Sequence, residues 1–541
     1  MSHSDVPDNV ADTVRRAASQ HAGATALVSA DAASVPSSLT WAELDARVDA
    51  VAASLLRLEL PAAGGTPARV AIALPQVPAF AEAFFGTLRA GLVAVPVNPG
   101  YTARELRHVL ADSGASVMIT TAEVALTLDP VRGDLPGLAH VYTVDSSHSG
   151  TRPYIDLTAS SPPITAVRAG EDIAVLLYTS GTAGVPKGAM LSHRALLANQ
   201  SQVAAIDPPI VSPSDVVLLA LPLFHIFGLN AGLVAVAYHG ACGVLVERFE
   251  PARTLDIIAR HQVSVVTAVP QMYIAWAGQP ELAEHLTSVR VAVSGAAPLD
   301  AAVARRFLET TRHPIFEGYG LTETAPVVAT GLASPVPKAR SIGRPIPGVE
   351  VKLVAPDDTE IARVNTDGLG GEILDDFDDD AGGVPGTDPG EVVVRGANLF
   401  SGYWPNGAGG PDAEGWWHTG DVAYADADGD LFLVDRLGEL ILVSGFNVYP
   451  HEVELVLTAH PAVAEAAVFG VPDPATGEAV VAYVVAVEGG AVATEELKEH
   501  CERNLARFKC PTVIEFVAEL PHSAIGKVRK GTLRANVSGA R

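Results

Sequence analysis

The chain has 541 residues, 48% of them hydrophobic and 18% charged, which argues for several buried cores and against a disordered or fibrous chain. Acidic side chains number 62 and basic ones 36, a formal net charge of −26 that repels phosphate backbones and anionic lipid. A nucleic-acid partner is therefore not expected, and membrane contact is at most peripheral.

Three cysteines (Cys242, Cys501, Cys510) without a CxxC or HExxH pattern argue against a disulfide scaffold or zinc site and fit a cytoplasmic location. Residues 1–20 lack the basic start and apolar centre of a signal peptide. Residues 173–178 (IAVLLY) form a short apolar run of the kind buried on both faces of a parallel sheet. A polar, glycine-rich loop follows, and Ser192 opens a helix running to Ala204. Residues 216–246 carry no formal charge, but Pro222, His225, Asn230 and His239 break the run into a buried strand, helix and strand. Residues 263–269 and 290–294 are further strands, and Asp300 is placed to cap a helix beginning at Ala301. Residues 314–317 lead into a loop at Gly318. Strands and helices that alternate in this way predict a mainly parallel α/β sheet, with ligands outside the carboxyl ends of its strands. Three loops lie at such ends: residues 179–188, 295–298 and 318–324.

Residues 375–390 (DDFDDDAGGVPGTDPG) read as an acidic surface loop without calcium-loop spacing, ahead of a strand at 391–395. After Asp435 the balance shifts to ten basic and thirteen acidic side chains. Helix 451–457, strands 466–471 and 479–487, helix 495–505 and strand 513–517 then predict a small α+β domain over residues 436–541, beside a domain of residues 1–435.

The strongest local signal is residues 178–188 (YTSGTAGVPKG). Small residues let backbone N–H groups approach anionic oxygens, the hydroxyls add donors, and Lys187 supplies charge. This is not a Walker A loop, because Pro186 stands at the last glycine position and Gly188 at the magnesium-binding Ser/Thr.

Residues 178–188 resemble the phosphate loop of the acyl-adenylate-forming superfamily, which includes acyl-CoA synthetases, luciferases and nonribosomal adenylation domains. Ala183 stands where that family more often has Thr. Its other motifs follow in order at 222–228 (PLFHIFG), 317–324 (EGYGLTET), 416–421 (WWHTGD), 435–436 (DR), 444–450 (SGFNVYP) and 520–527 (LPHSAIGK). The wording at 85–88, 98–106 and 444–450 is similar to bacterial medium- and long-chain fatty acyl-CoA synthetases.

The resemblance implies an α/β fold in which parallel-type sheets and a small β-barrel make up the large N-terminal region. It also implies a mobile C-terminal α+β lid. The expected reaction joins a carboxylic acid to CoA through an acyl-AMP, with ATP, Mg²⁺ and CoA. Thr179, Ser180, Gly181, Thr182 and Lys187 are implied at the phosphates, Glu323 and Thr182 at the metal, and Thr322 and Lys527 with Glu323 in catalysis. Gly295, Ala296, Ala297, Gly318, Tyr319 and Gly320 would frame the adenine, and Asp421 and Arg436 the ribose. His225, Ile226 and Phe227 would wall the acyl group, Gly438 would be the hinge, and Ser444, Gly445 and Phe446 would line the CoA tunnel. Gly438 replaces the Lys or Asp usual in relatives. Three alternatives stay open: transfer to a carrier protein, an aryl or short-chain acid, and a non-catalytic acyl- or nucleotide-binding protein.

Overall fold

The computed structural model describes residues 8–30, 38–61, 66–159, 168, 170–179, 186–370, 386–436, 439–443, 446–473, 476–487, 492–522, 528–530 and 532–534. Gly370, Asp435, Arg436, Phe446 and Asn447 are described by backbone alone. The chain divides into two compact units: Met1–Val349 with Arg395–Trp417, and Glu350–Val394 with His418–Arg541.

The first unit holds two sheets where the alternation of elements pointed to one. A seven-stranded sheet orders Arg152–Pro153, His140–Thr143, Val117–Thr120, Arg69–Ala73, Val93–Pro96, Ile173–Thr179 and Lys187–Ser192. A nine-stranded sheet has at its centre the parallel strands Ile315–Gly320, Val291–Ser294, Val265–Ala268, Val216–Leu219, Cys242–Leu245 and Thr25–Ser29. Their continuous apolar runs are buried on both faces, as in Arg69–Ala73 and Val117–Thr120, where every residue is buried. Helices start where the sequence offers caps. Thr40 with Glu43 and Thr102 with Glu105 form capping boxes, and Asp300 accepts from the N–H groups of Ala302 and Val303. Each such cap is worth roughly 1 kcal/mol.

Two local expectations are corrected. The chain after residue 186 does not run straight into the helix. It returns as the antiparallel strand Lys187–Ser192, with Thr179 opposite Lys187 and Tyr178 opposite Gly188. Ser192 then caps His193–Ala204. A Cβ at Gly188 would lie 2.8 Å from Leu176 Cδ1, so a side chain there would have to push the leucine aside. Nor does the strand after Pro314 stop at Glu317. It continues to Gly320, because Val327–Thr330 folds back antiparallel and pairs with it. A Cβ at Gly320 would fall 1.8 Å from the Pro326 carbonyl oxygen.

The second unit contains the half-barrel, a six-stranded sheet in the order Gly368–Gly370, Glu360–Asn365, Val349–Val354, Gly390–Gly396, Trp416–Ala425, Leu431–Arg436. It also contains a five-stranded sheet in which Gly477–Ala486 pairs with Val463–Asp473, Ile441–Val443 and Val513–Phe516. Helices Pro450–Thr458 and Thr494–Asn504 bury Val453, Leu457, Leu497 and Cys501 in one core with this sheet. Residues 375–385 of the acidic segment lie outside the described residues. No helix among the described residues is long and apolar enough to cross a membrane.

His193 gives the first unit an acid-sensitive point. It is 1% exposed, and its Nδ1 accepts from the Val10 N–H at 3.1 Å. Burial lowers its pKa to about 4 against the opposing charge of Asp172. Between pH 6.5 and about 4 the unfolded chain takes up a proton that the folded chain refuses, so stability is full above this window and is lost as pH falls through it. The expected loss is on the order of 3 kcal/mol. The urea midpoint should therefore drop between about pH 7 and about pH 5, and drop less in His193→Gln.

Candidate active site

Strands Ile173–Thr179 and Lys187–Ser192 form the stem of the phosphate-loop motif; Ser180, Gly181 and Thr182 lie outside the described residues. The stem is tied to helix Ala103–Ser113. The Tyr178 hydroxyl donates to Asp112 Oδ2 at 2.6 Å, and His108 Nε2 lies 3.1 Å from the Pro186 carbonyl oxygen. Burial, the hydrogen bond to Asp112 and that carboxylate's charge all raise the Tyr178 pKa, so the phenol stays a donor. Trp404 Nε1 donates to the Asp112 carbonyl at 2.9 Å, and the Arg69 guanidinium lies 5.1 Å from the Trp404 ring centroid.

Glu323 sits in the turn Thr322–Thr324 and is 7% exposed. The turn is held from several sides. Leu321 N–H donates to Thr324 Oγ1, Asn398 Nδ2 donates to the Thr324 carbonyl, and Phe400 N–H donates to the Glu323 carbonyl. Glu323 Oε1 accepts from the Tyr403 hydroxyl at 2.6 Å, while Oε2 meets no donor among the described residues. A hard carboxylate oxygen left open in this way suits a divalent cation. Burial, followed by the charge and hydrogen bond of Glu323, raises the Tyr403 pKa. Lys187 is exposed, and its Nζ lies 5.3 Å from the Tyr403 ring centroid.

The loops after Val291–Ser294 and along Ile315–Gly320 leave neighbouring parallel strands, so Gly295–Ala297 and Gly318–Gly320 stand side by side. Ala296 has φ +71°, a left-handed conformation that costs a residue with a Cβ about 1 kcal/mol. A Cβ on Gly295 would meet the Phe227 ring at 3.1 Å, so that ring lies against the loop. Tyr319 is 9% exposed, and Thr322 is half-buried. Burial raises the Glu317 pKa against an opposing hydrogen bond from Leu299 N–H. His225 Nδ1 accepts from the Phe227 N–H at 3.3 Å, and burial lowers its pKa to about 4. At neutral pH it is uncharged, beside the buried Ile226.

In the second unit, Asp421 is 5% exposed, and strand register sets it opposite Arg436. Gly438, Ser444, Gly445 and Lys527 lie outside the described residues, and Phe446 contributes backbone pairing with Val443. On either side of Lys527, His522 bridges to Val528 and the Arg529 N–H donates to the Pro521 carbonyl. Three aspartates (Asp426, Asp428, Asp430) have carboxylate oxygens within 4.8 Å of one another. Asp426 Oδ1 accepts from the N–H groups of Asp428 and Asp430 and closes the turn between two strands.

A family profile described as AMP-binding enzyme matches residues 14–404, and one described as AMP-binding enzyme C-terminal domain matches residues 452–527. The chain belongs to the AMP-binding enzyme family. A long-chain-fatty-acid–CoA ligase of Escherichia coli O157:H7 is 36% identical over 510 residues, 87% of this chain and 86% of that protein. A feruloyl-CoA synthase of Amycolatopsis sp. is 36% identical over 505 residues, 92% of this chain and 93% of that protein. Among solved structures, ATP-bound MatB from Rhodopseudomonas palustris matches with a TM-score of 0.85 and 28% identity, over 98% of this chain and 99% of that one.

Tyr403 and Asp112 of this AMP-binding enzyme escaped the reading of its sequence, and so did the segment that joins the two sheets. That segment follows Asn398. Ser401 N–H donates to the Met190 carbonyl, Met190 N–H to that of Gly402, and Trp404 N–H to that of Gly188. It thereby laces the phosphate-loop stem of one sheet to the Glu323 turn beside the other. A strand-like segment, not a single sheet edge, thus joins the strands flanking residues 180–185 to the Glu323 turn.

Proposed function

We propose that this AMP-binding enzyme is an ATP-dependent acyl-CoA synthetase acting on a medium- or long-chain fatty acid. It is an AMP-forming acid–thiol ligase. The carboxylate attacks the α-phosphate of ATP, and pyrophosphate leaves. The thiol of CoA then attacks the acyl-AMP, giving a thioester and AMP. A free carboxylate is a poor electrophile, whereas the mixed anhydride has a good leaving group.

In this reading Thr179, Ser180, Gly181, Thr182 and Lys187 take the phosphates through N–H, hydroxyl and ammonium donors. Gly295, Ala296, Ala297, Gly318, Tyr319 and Gly320 frame the adenine, and Asp421, with Arg436 on the next strand, takes the ribose. Glu323 and Thr182 are the residues that would hold Mg²⁺, which would supply charge neutralisation at the phosphate oxygens. Thr322 donates to the phosphates, and Lys527 neutralises the approach of one anion to another. Ile226, Phe227 and the neutral His225 wall the acyl group. Residues 436–541 turn about Gly438 between the two steps, and Ser444, Gly445 and Phe446 line the path of CoA.

The observation that carries this reading is the grouping of Lys187 and Glu323 on one tyrosine, a cation and a carboxylate with one open oxygen spaced by a phenol. The test is a panel of straight-chain acids from acetate to stearate, with coumarate and ferulate, assayed for CoA-dependent AMP release without any carrier protein. The highest kcat/KM is expected on the medium and long chains. Identity to the feruloyl-CoA synthase equal to that of the fatty-acid ligase favours an aryl acid as the second reading. A preference for ferulate would establish it, and AMP release only with a carrier protein would overturn the choice of CoA.

A further inference from the structure

We infer, on the basis of the function proposed above, that Tyr403 is a positioning residue that holds Glu323 and Lys187 apart and oriented for Mg²⁺ and ATP. Its hydroxyl reaches Glu323 Oε1 at 2.6 Å, and its ring lies 5.3 Å from Lys187 Nζ. Opposite charges that share one tyrosine as neighbour would gain by closing into an ion pair, which would mask both groups from a polyphosphate and its cation. No such pair forms among the described residues. The ring face gives the ammonium a partner that a phosphate can displace, and the hydroxyl fixes one carboxylate oxygen while leaving Oε2 open.

The position of the phenol is over-determined. Tyr403 pairs with Ala189 across an antiparallel bridge, its N–H donates to the Ala408 carbonyl at 2.9 Å, and its carbonyl accepts from the Gly407 N–H at 2.8 Å. Gly402, at φ +89°, turns the chain into this position, and a Cβ there would fall 2.1 Å from the Gly407 carbonyl oxygen. The ring packs edge-on against Phe400 at 5.1 Å between centroids, and Phe400 packs against Trp417 at 5.3 Å. A side chain needed for packing alone would not require a hydroxyl aimed at a 7%-exposed carboxylate.

Tyr403→Phe keeps the ring and removes the hydroxyl; Tyr403→Leu removes both partners. In acid-dependent pyrophosphate exchange, Tyr403→Phe should raise the half-saturating Mg²⁺ concentration on the order of 10-fold, the lower end for loss of an outer partner of a metal ligand. The KM for the acid should stay within about 2-fold, since the proposed acyl wall of His225, Ile226 and Phe227 includes neither group. Calorimetric titration with ATP gives the second readout. The gain in ATP affinity on adding Mg²⁺ should shrink in Tyr403→Phe, while metal-free ATP affinity falls in Tyr403→Leu alone. An unchanged Mg²⁺ dependence and an unchanged Mg²⁺ gain in Tyr403→Phe would overturn the assignment. So would a variant whose losses fall equally on ATP with and without Mg²⁺. If wild-type protein binds Mg·ATP but exchanges pyrophosphate with no acid, the proposed function fails, and the titration still decides the role of Tyr403.

Discussion

Lys527→Ala is expected to slow acid-dependent pyrophosphate exchange on the order of 10²–10³-fold, as removal of a preorganised oxyanion donor does. The first half-reaction brings a carboxylate against a phosphate. Two unit charges ~4 Å apart repel by about 4 kcal/mol at an effective dielectric near 20, and one positioned ammonium offsets most of that. In the second half-reaction a thiol meets the uncharged carbonyl of acyl-AMP and no carboxylate approaches a phosphate, so thioester formation from supplied acyl-AMP should change far less. Arg529 is the control, being exposed and two residues further on, with its backbone N–H bonded to Pro521. Arg529→Ala should leave exchange within a few-fold, because surface charge acts weakly through water and salt. Similar losses from the two variants would reduce Lys527 to one member of a basic tail.

What the sequence disclosed follows from how local each signal is. The run at 173–178 is a strand by its own composition, and Asp300 caps its helix through N–H groups two and three residues away. The phosphate-loop motif is likewise one uninterrupted stretch. Tyr403 and Glu323 are 80 positions apart, and Trp404 and Asp112 are 292 apart. Tyr403, Trp404 and Asp112 each read as an ordinary surface or turn residue until the fold joins them to the motifs. Sheet membership has the same origin. Strand and helix alternate identically whether consecutive strands enter one sheet or two, so the assignment of 173–178 and 291–294 to different sheets had no local mark. The return strand Lys187–Ser192 was hidden because its glycine answers to Leu176 on the facing strand.

Lys530→Met is expected to destabilise the second unit by about 3 kcal/mol at neutral pH, the lower end for breaking a buried ion pair. The Lys530 ammonium lies 2.7 Å from Glu454 Oε1 and 3.1 Å from Glu439 Oε2, and the Lys530 and Glu454 side chains are 14% and 15% exposed. Glu454 also accepts from the Val468 N–H at 2.7 Å. One cation therefore ties helix Pro450–Thr458 and strand Val463–Asp473 to Glu439, and all of them to the segment that follows Lys527. Burial opposes ionisation of Glu454, but His451 and Lys530 outweigh it and hold its pKa below the ordinary 4.5. A carboxylate so depressed contributes stability above 4.5 that is lost as pH falls through its folded value. Methionine removes that contribution and leaves the carboxylate buried with one cation fewer. The cost should thus be largest at neutral pH and should shrink as pH falls below 4.5 and through the folded pKa of Glu454, where protonation neutralises it. Hydrogen exchange of the amides in Pro450–Thr458, measured on the full chain, reads this directly. A loss of the same size on both sides of that pH would trace to packing of the methionine, because a clasp made of charge cannot survive the neutralisation of its own carboxylate.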